Sequence, residues 1–200
     1  MRTRIAAALG LILLTAGGAV AQQGPARTET AVFASGCFWC TEADLEKVPG
    51  VISAVSGYTG GRDPDPTYEE VSAGDTGHYE AVQVTYDPAR VSYEALLQAF
   101  WRTVDPHDAT GQFCDKGEMY LGAVFVATDA QRQAAEASKA KVASQLKEPV
   151  VTAILPAATF FPAEEYHQDY AKKNPLKYRF YRTSCGRDAR LQQVWGALTN

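Results

Sequence analysis

Apolar runs of strand length alternate with stretches of helical spacing, and the order in which they follow one another restricts the fold more than any other feature of the chain. Ala31-Val32-Phe33-Ala34 reads as a buried strand that stops at Gly36, and Glu42 to Val48 has helical spacing ending before Pro49-Gly50. Val51 to Tyr58 is a second strand, and the alternation in "YEAVQVTYDP" marks a third. Ser92 to Val104 fits an amphipathic helix with Ser92 as N-cap and Leu96, Leu97, Phe100 and Trp101 on its apolar face. "LGAVFVAT" follows as a strand, Asp129 caps a helix running to about Leu146, and "VVTAILPA" is the last strand. A β-α-β-β-α-β order with one further helix inserted predicts an α+β fold, a ferredoxin-like α/β sandwich. Beyond Phe160 the chain is a long irregular C-terminal segment, with a short helix over Glu164 to Lys172 and no clear period before Asp188.

The residues ahead of this pattern have a different layout. Arg2 and Arg4 give a positive start, Ile5 to Leu14 an apolar stretch, and Ala19-Val20-Ala21 a small-residue cleavage site, so residues 1–21 read as a secretory signal peptide. Residues 22–30 are a polar linker containing Pro25, and residues 31–200 form a single domain. The protein is therefore expected outside the cytoplasm, periplasmic or extracellular, without stable membrane insertion, because the apolar stretch falls short of the roughly 20 residues that span a bilayer. With Arg2 and Arg4 gone from the 19 basic residues, 17 face 23 acidic ones, a net charge of about −6 that argues against a nucleic-acid partner. All four cysteines, Cys37, Cys40, Cys114 and Cys185, lie in the exported part, where an even number would ordinarily mean disulfides in one of three pairings. A chain of 200 residues that is 46% hydrophobic has core enough not to need them as staples.

"SGCFWC", residues 35–40, sets two cysteines around two large aromatics just after the first strand. A zinc site would need a second ligand pair, and His78, His107 and His167 have no close spacing with Cys114 or Cys185. A thioredoxin-like disulfide oxidoreductase using Cys37 and Cys40 fits the strand-turn-helix shape and an oxidising compartment. It has no need, however, for "GYTGGRDPDPTYEEVSAGDTGHYE", a long loop whose tyrosines and histidine favour function. In the remaining reading Cys37 is a lone nucleophile at the first turn of a helix, where unpaired N–H groups and the helix dipole favour the thiolate. Cys40, a turn further in, feels them less. Phe38 and Trp39 then wall an apolar slot for a small alkyl group beside the sulfur.

"GCFWC-T-E", "GYTGG", "DPTYEEVSAGDTGHYE", "YDP" and "AEEYHQDY", in this order and over nearly the whole exported part, resemble the A-type peptide methionine sulfoxide reductases. The resemblance implies repair of oxidised proteins by reduction of methionine S-sulfoxide in proteins, peptides and free methionine, with no metal or organic cofactor. It makes Cys37 the nucleophile and Glu80 the acid, and Phe38 and Trp39 the aromatics that hold the substrate methyl group. Tyr68, Asp115 and Tyr120 join them as substrate-binding residues. The chemistry agrees: a sulfoxide sulfur resists thiolate attack until its oxygen is protonated or strongly hydrogen-bonded, so a protonated carboxyl and phenols must surround that oxygen.

The implied cycle passes through a sulfenic acid on Cys37 and an intramolecular disulfide that a thioredoxin-like dithiol reduces, in a protein acting as a monomer. Family members often resolve the sulfenic acid with a cysteine in a mobile C-terminal tail, which matches Cys185. Cys40 is the next candidate, and Cys114 is expected to be a buried, inert thiol. The chain departs from the family pattern at Val104-Asp105-Pro106-His107, at "ATGQFC" before Asp115, and at Leu121 after Tyr120. His78 and His167 are expected to anchor structure rather than to act as bases.

Overall fold

The computed structural model describes residues 27–196; the expected signal peptide and the first part of the linker lie outside the described residues. In chain order the strands are β1 (Glu29–Ser35), β2 (Val51–Thr59), β3 (Tyr79–Tyr86), β4 (Gly111–Gln112), β5 (Asp115–Lys116), β6 (Gly122–Val126), β7 (Ala153–Pro156) and β8 (Phe161–Pro162). The helices are α1 (Phe38–Leu45), α2 (Tyr68–Ala73), α3 (Tyr93–Trp101), α4 (Asp129–Leu146), α5 (Tyr170–Lys173), α6 (Pro175–Ser184) and α7 (Arg187–Trp195). The fold is mixed α+β around a sheet of order β7-β6-β1-β3-β2-β8, in which β6 and β7 run parallel and the other neighbours antiparallel.

Side-chain parity decides which face of the sheet does what. Ala31 and Phe33 of β1, Val82 and Val84 of β3, and Val124 and Val126 of β6 point to the face packed by α1, α3 and α4, where Leu45, Leu96, Leu97, Phe100, Trp101 and Val142 join them. Ala34, Ala81, Ala123 and Phe125 point the other way. Leu96 and Leu97 are fully buried, so truncating either to Ala removes about 2–5 kcal/mol. Phe33 pairs with Val82, and one more step of two along the same register sets Glu80 opposite Ser35, on the helical face and beneath the start of α1. Parity and register alone therefore deliver an acid to the nucleophile turn.

Several elements differ from the sequence expectation for local reasons. β1 begins at Glu29, inside the expected linker, because Glu29 and Thr30 pair with Tyr86 and Thr85. α1 starts at Phe38 rather than Glu42, since the Cys37 carbonyl already accepts from Cys40 and Thr41. The long loop contains α2, started by a capping box between Thr67 and Glu70. Thr128, not Asp129, caps α4 by accepting from Gln131 N. The helix expected over Glu164 to Lys172 is instead a run of turns with α5 following the left-handed Asp169. α6 escaped detection because it inverts the usual pattern: Leu176 and Phe180 face solvent while Tyr178, Tyr181 and Arg182 turn inward.

Candidate active site

Cys37 is the N-cap of α1 and only 6% exposed, and Cys40 is buried one turn further in; both are free thiols, hydrogen-bonded to each other. Gly36 makes the approach possible: its φ of +79° is left-handed, and a Cβ there would meet Gln112 Cβ at 2.6 Å. The helix start, expected to favour a Cys37 thiolate, is opposed there by burial. Burial, then the Cys40 hydrogen bond and the nearby Glu80, push Cys37 well up, whereas Cys40 is lowered to about 7 by its hydrogen bond with Cys37 and, less strongly, by Arg187 and Arg182. Desolvation opposes the helix dipole at Cys37, and the contact between the two sulfurs favours one thiol giving up its proton well before the other.

Glu80 is 2% exposed and accepts from the Phe38 amide at 2.9 Å through Oε2. Burial raises its pKa to about 8 against the opposing Phe38 hydrogen bond, with Asp115 and Cys40 adding to the rise, so the carboxyl is protonated at neutral pH and its other oxygen is free to donate. Tyr68, at the start of α2, and Tyr120, at the end of the 3₁₀ turn Glu118–Tyr120, are half-buried phenols raised first by burial and then by charges that include those of Glu80 and Cys37. Asp115 meets the same set from β5: its Oδ2 accepts from Tyr181 at 2.5 Å. Its carboxyl is raised by burial, and Tyr181 and Arg187 oppose that rise.

The aromatics divide the work differently from expectation. Phe38 is 1% exposed and packs on Tyr58 and His167, so it forms the floor rather than an open wall. Trp39 stacks on Tyr170 with centroids 3.7 Å apart, meets Tyr181 edge-on, and donates through Nε1 to His167 Nδ1 at 3.0 Å. That bond fixes the other ring nitrogen of His167 as the protonated one, and burial lowers its pKa, so His167 is a neutral anchor touching Phe38, Trp39 and Tyr68. His78 is an anchor too, accepting from Gly61 N and bonding the Asp63 carbonyl to brace the glycine loop.

Cys185 closes α6 and is bonded to Cys114, with Cα atoms 5.0 Å apart. The expectation of a buried, inert Cys114 is corrected: it is exposed, on the turn between β4 and β5, and it is half of a disulfide. This disulfide borders the site, since Cys185 Sγ lies 3.8 Å from Asp115 Oδ2, the oxygen that accepts from Tyr181, and Tyr181 in turn hydrogen-bonds Cys37.

Sequence reasoning missed Tyr181, Tyr170 and Arg187, all on the C-terminal helices. The only trace was spacing: Tyr181 and Cys185 are four apart and therefore share a helix face. Among the described residues, two groups place possible metal donors close together. Cys114, Asp115 and Cys185 have their sulfurs joined to each other, and Glu42, Glu46 and Asp169 are crossed by Lys172.

Comparison with known proteins adds a second line. A model described as peptide methionine sulfoxide reductase matches residues 29–199. The chain is 57% identical over 192 residues to peptide methionine sulfoxide reductase MsrA 2 of Caulobacter vibrioides, covering 96% of this chain and 95% of that protein. Among solved structures it is similar to Mxr1 of Saccharomyces cerevisiae in reduced form, with a TM-score of 0.72 at 32% identity over 78% of this chain and 90% of the yeast one. The yeast protein in complex with Trx2 aligns with a TM-score of 0.52 at 25% identity, over 76% of this chain and 91% of that one.

Proposed function

Because the chain belongs to the peptide methionine sulfoxide reductase family, we propose that Cys37 is the nucleophile that reduces methionine S-sulfoxide and Glu80 the acid that protonates the sulfoxide oxygen. The observation that carries this assignment is the Phe38–Glu80 hydrogen bond, which holds a protonated, buried carboxyl at the start of the helix that presents Cys37. Phe38, Trp39, Tyr68, Asp115 and Tyr120 form the substrate pocket: the indole and phenyl rings receive the methyl group, and the two phenols steady the oxygen. Asp115 holds Tyr181 in place beside the nucleophile.

As Cys37 attacks the sulfoxide sulfur, the proton it shares passes to Cys40 and Glu80 gives its own to the oxygen. A sulfur–sulfur bond forms; as it breaks, the protonated oxygen passes from the substrate sulfur to the Cys37 sulfur, so the substrate leaves as the thioether methionine and Cys37 is left as a sulfenic acid. Cys40 then attacks that sulfur; the new S–S bond displaces the oxygen, which takes the Cys40 proton and departs as water. The two electrons that reduced the sulfoxide thus come from the Cys37/Cys40 pair. Cys40 resolves the sulfenic acid while Cys185 is bonded to Cys114; once that disulfide is reduced, Cys185 exchanges with the Cys37–Cys40 bond and returns to Cys114, moving the oxidation outward to an exposed sulfur.

A thioredoxin-like dithiol completes the cycle, a reading supported by the similarity to the yeast protein solved with Trx2. The protein acts as an exported monomer in the periplasm or outside the cell, a reading supported by the Cys114–Cys185 disulfide, a bond that persists in oxidising compartments. The four central strands β6-β1-β3-β2, with α1 and α3 as their crossovers, are read as a ferredoxin-like core. The test is loss of sulfoxide reduction in Cys37→Ser and its severe slowing in Glu80→Gln, with both variants folded; unchanged turnover in either would move the assignment elsewhere.

A further inference from the structure

Arg187 is 1% exposed, and it forms no ion pair among the described residues, whereas Arg182 pairs with Asp44 and Asp188 and Arg190 with Asp105. Its guanidinium donates to the Ser35 carbonyl at 3.0 Å, to Ser35 Oγ at 3.2 Å and to the Thr103 carbonyl at 2.6 Å. It lies 4.4 Å from the Phe113 ring centroid, and its Nε has no partner. Burying a cation without a counter-charge is costly, and neutral acceptors and a ring offset only part of it. Methionine would fill similar space without that cost, so the charge itself calls for an explanation.

The neighbours supply one. Ser35 precedes Cys37 by two residues, and its hydroxyl also meets Thr41 Oγ1 at 2.7 Å, beside Cys40. Phe113 precedes Cys114 and holds a left-handed φ of 58°, a conformation a bulky residue keeps only when its surroundings fix it. Arg187 itself follows Cys185 by two residues, across the left-handed Gly186. The guanidinium therefore contacts Ser35, two residues before Cys37, and Phe113, next to Cys114, while Arg187 itself stands two residues after Cys185.

We propose that Arg187 is a positioning residue of the thiol chemistry: a buried cation that, through its hydrogen bonds to Ser35 and Thr103 and its contact with Phe113, favours a thiolate in the Cys37–Cys40 turn and holds the Cys114–Cys185 arm in register with it. The other groups acting on Cys40 are Cys37 and Asp44 from α1, Glu80 from β3, and Tyr178 and Arg182 from α6. Arg182 is paired with two carboxylates, whereas Arg187 has no direct ion-pair partner among the described residues and acts at longer range on Asp115 and Asp188 as well as on Cys40. The same field favours the Asp115 carboxylate that receives Tyr181.

The significance of this role rests on Cys40 as the resolving thiol, but its test reads a proton and not turnover. Thiolate absorbance is titrated in the full protein with the Cys114–Cys185 disulfide intact, as native, Arg187→Met and Arg187→Lys, against a Cys37→Ser/Cys40→Ser background. Arg187→Met should raise the first thiolate midpoint by about one pH unit, and Arg187→Lys should return most of that shift. A native midpoint in Arg187→Met, or an Arg187→Lys midpoint as high as that of Arg187→Met, overturns the proposal. If circular dichroism shows Arg187→Met unfolded, Arg187→Gln takes its place under the same criteria. Failure of the resolving role would appear separately, as undiminished steady-state turnover in Cys40→Ser.

Discussion

The amide of Phe38 donates to Glu80 Oε2 at 2.9 Å, so the proposed acid on β3 is tied to the residue next to the proposed nucleophile. A shift of α1 along the sheet would break that bond and part the two groups. Replacing Glu80 by Gln keeps an acceptor for the amide but removes the transferable proton. Methionine formation should slow by about 10²–10⁴-fold, with Cys37 still open to alkylation. In the native enzyme the rate of sulfoxide reduction should fall as pH rises through about 8, where Glu80 loses its proton, and Glu80→Gln should lack that limb.

Folding stability should report the same carboxyl. Glu80 titrates at about 8 in the fold against 4.5 ordinarily, so between those values the folded state binds more protons than the unfolded one. Its contribution is fully present below the lower value and is lost as pH rises through the upper one. Urea midpoints of the native protein should therefore drop across this window relative to those of Glu80→Gln, whose amide does not titrate.

Cys40→Ser should still release methionine in its first turnover, leaving a sulfenic acid on Cys37 that a dione reagent traps. Steady-state turnover with a dithiol should fall about tenfold or more, because condensation must await an outside thiol. Cys185→Ser should retain the Cys37–Cys40 disulfide after one turnover and lose rate chiefly with a protein dithiol, the reductant that needs the exposed Cys114.

The stack of Trp39 on Tyr170 fixes the indole proposed to wall the methyl pocket. Tyr170→Ala removes a contact of about 0.5–1.5 kcal/mol without touching Cys37, so it should raise KM several-fold and change kcat little. Trp39→Ala, which also frees His167 Nδ1, should raise KM further. Steady-state kinetics with a methionine sulfoxide peptide separates the two effects.

How far the chain could be read in advance depended on whether a signal was local. β3, α3 and the apolar runs of β1 and β6 are legible from periodicity, and Ser92 caps α3 as its hydroxyl predicts, accepting from Ala95. The set around Cys37 was named from motif resemblance, and parity along β3 explains why Glu80 belongs to it. Illegible from sequence was α6, whose inward residues are tyrosine and arginine rather than aliphatic; α7 follows the period that begins at Asp188, with Leu191, Val194 and Trp195 turned to the core. The same blindness hid Tyr181 and Arg187, which join the nucleophile only through long-range folding. The burial of Cys37 was equally out of reach, because a helix start is visible in sequence whereas the depth of burial that opposes it is not.

The most direct measurement is an anaerobic single turnover of the protein with Cys37 and Cys40 reduced and Cys114–Cys185 intact, using separated S and R sulfoxide epimers and mapping disulfides by mass spectrometry. One methionine per enzyme should come from the S epimer alone, together with a Cys37–Cys40 disulfide. No methionine from either epimer, or methionine from the Cys37→Ser protein, would contradict the account.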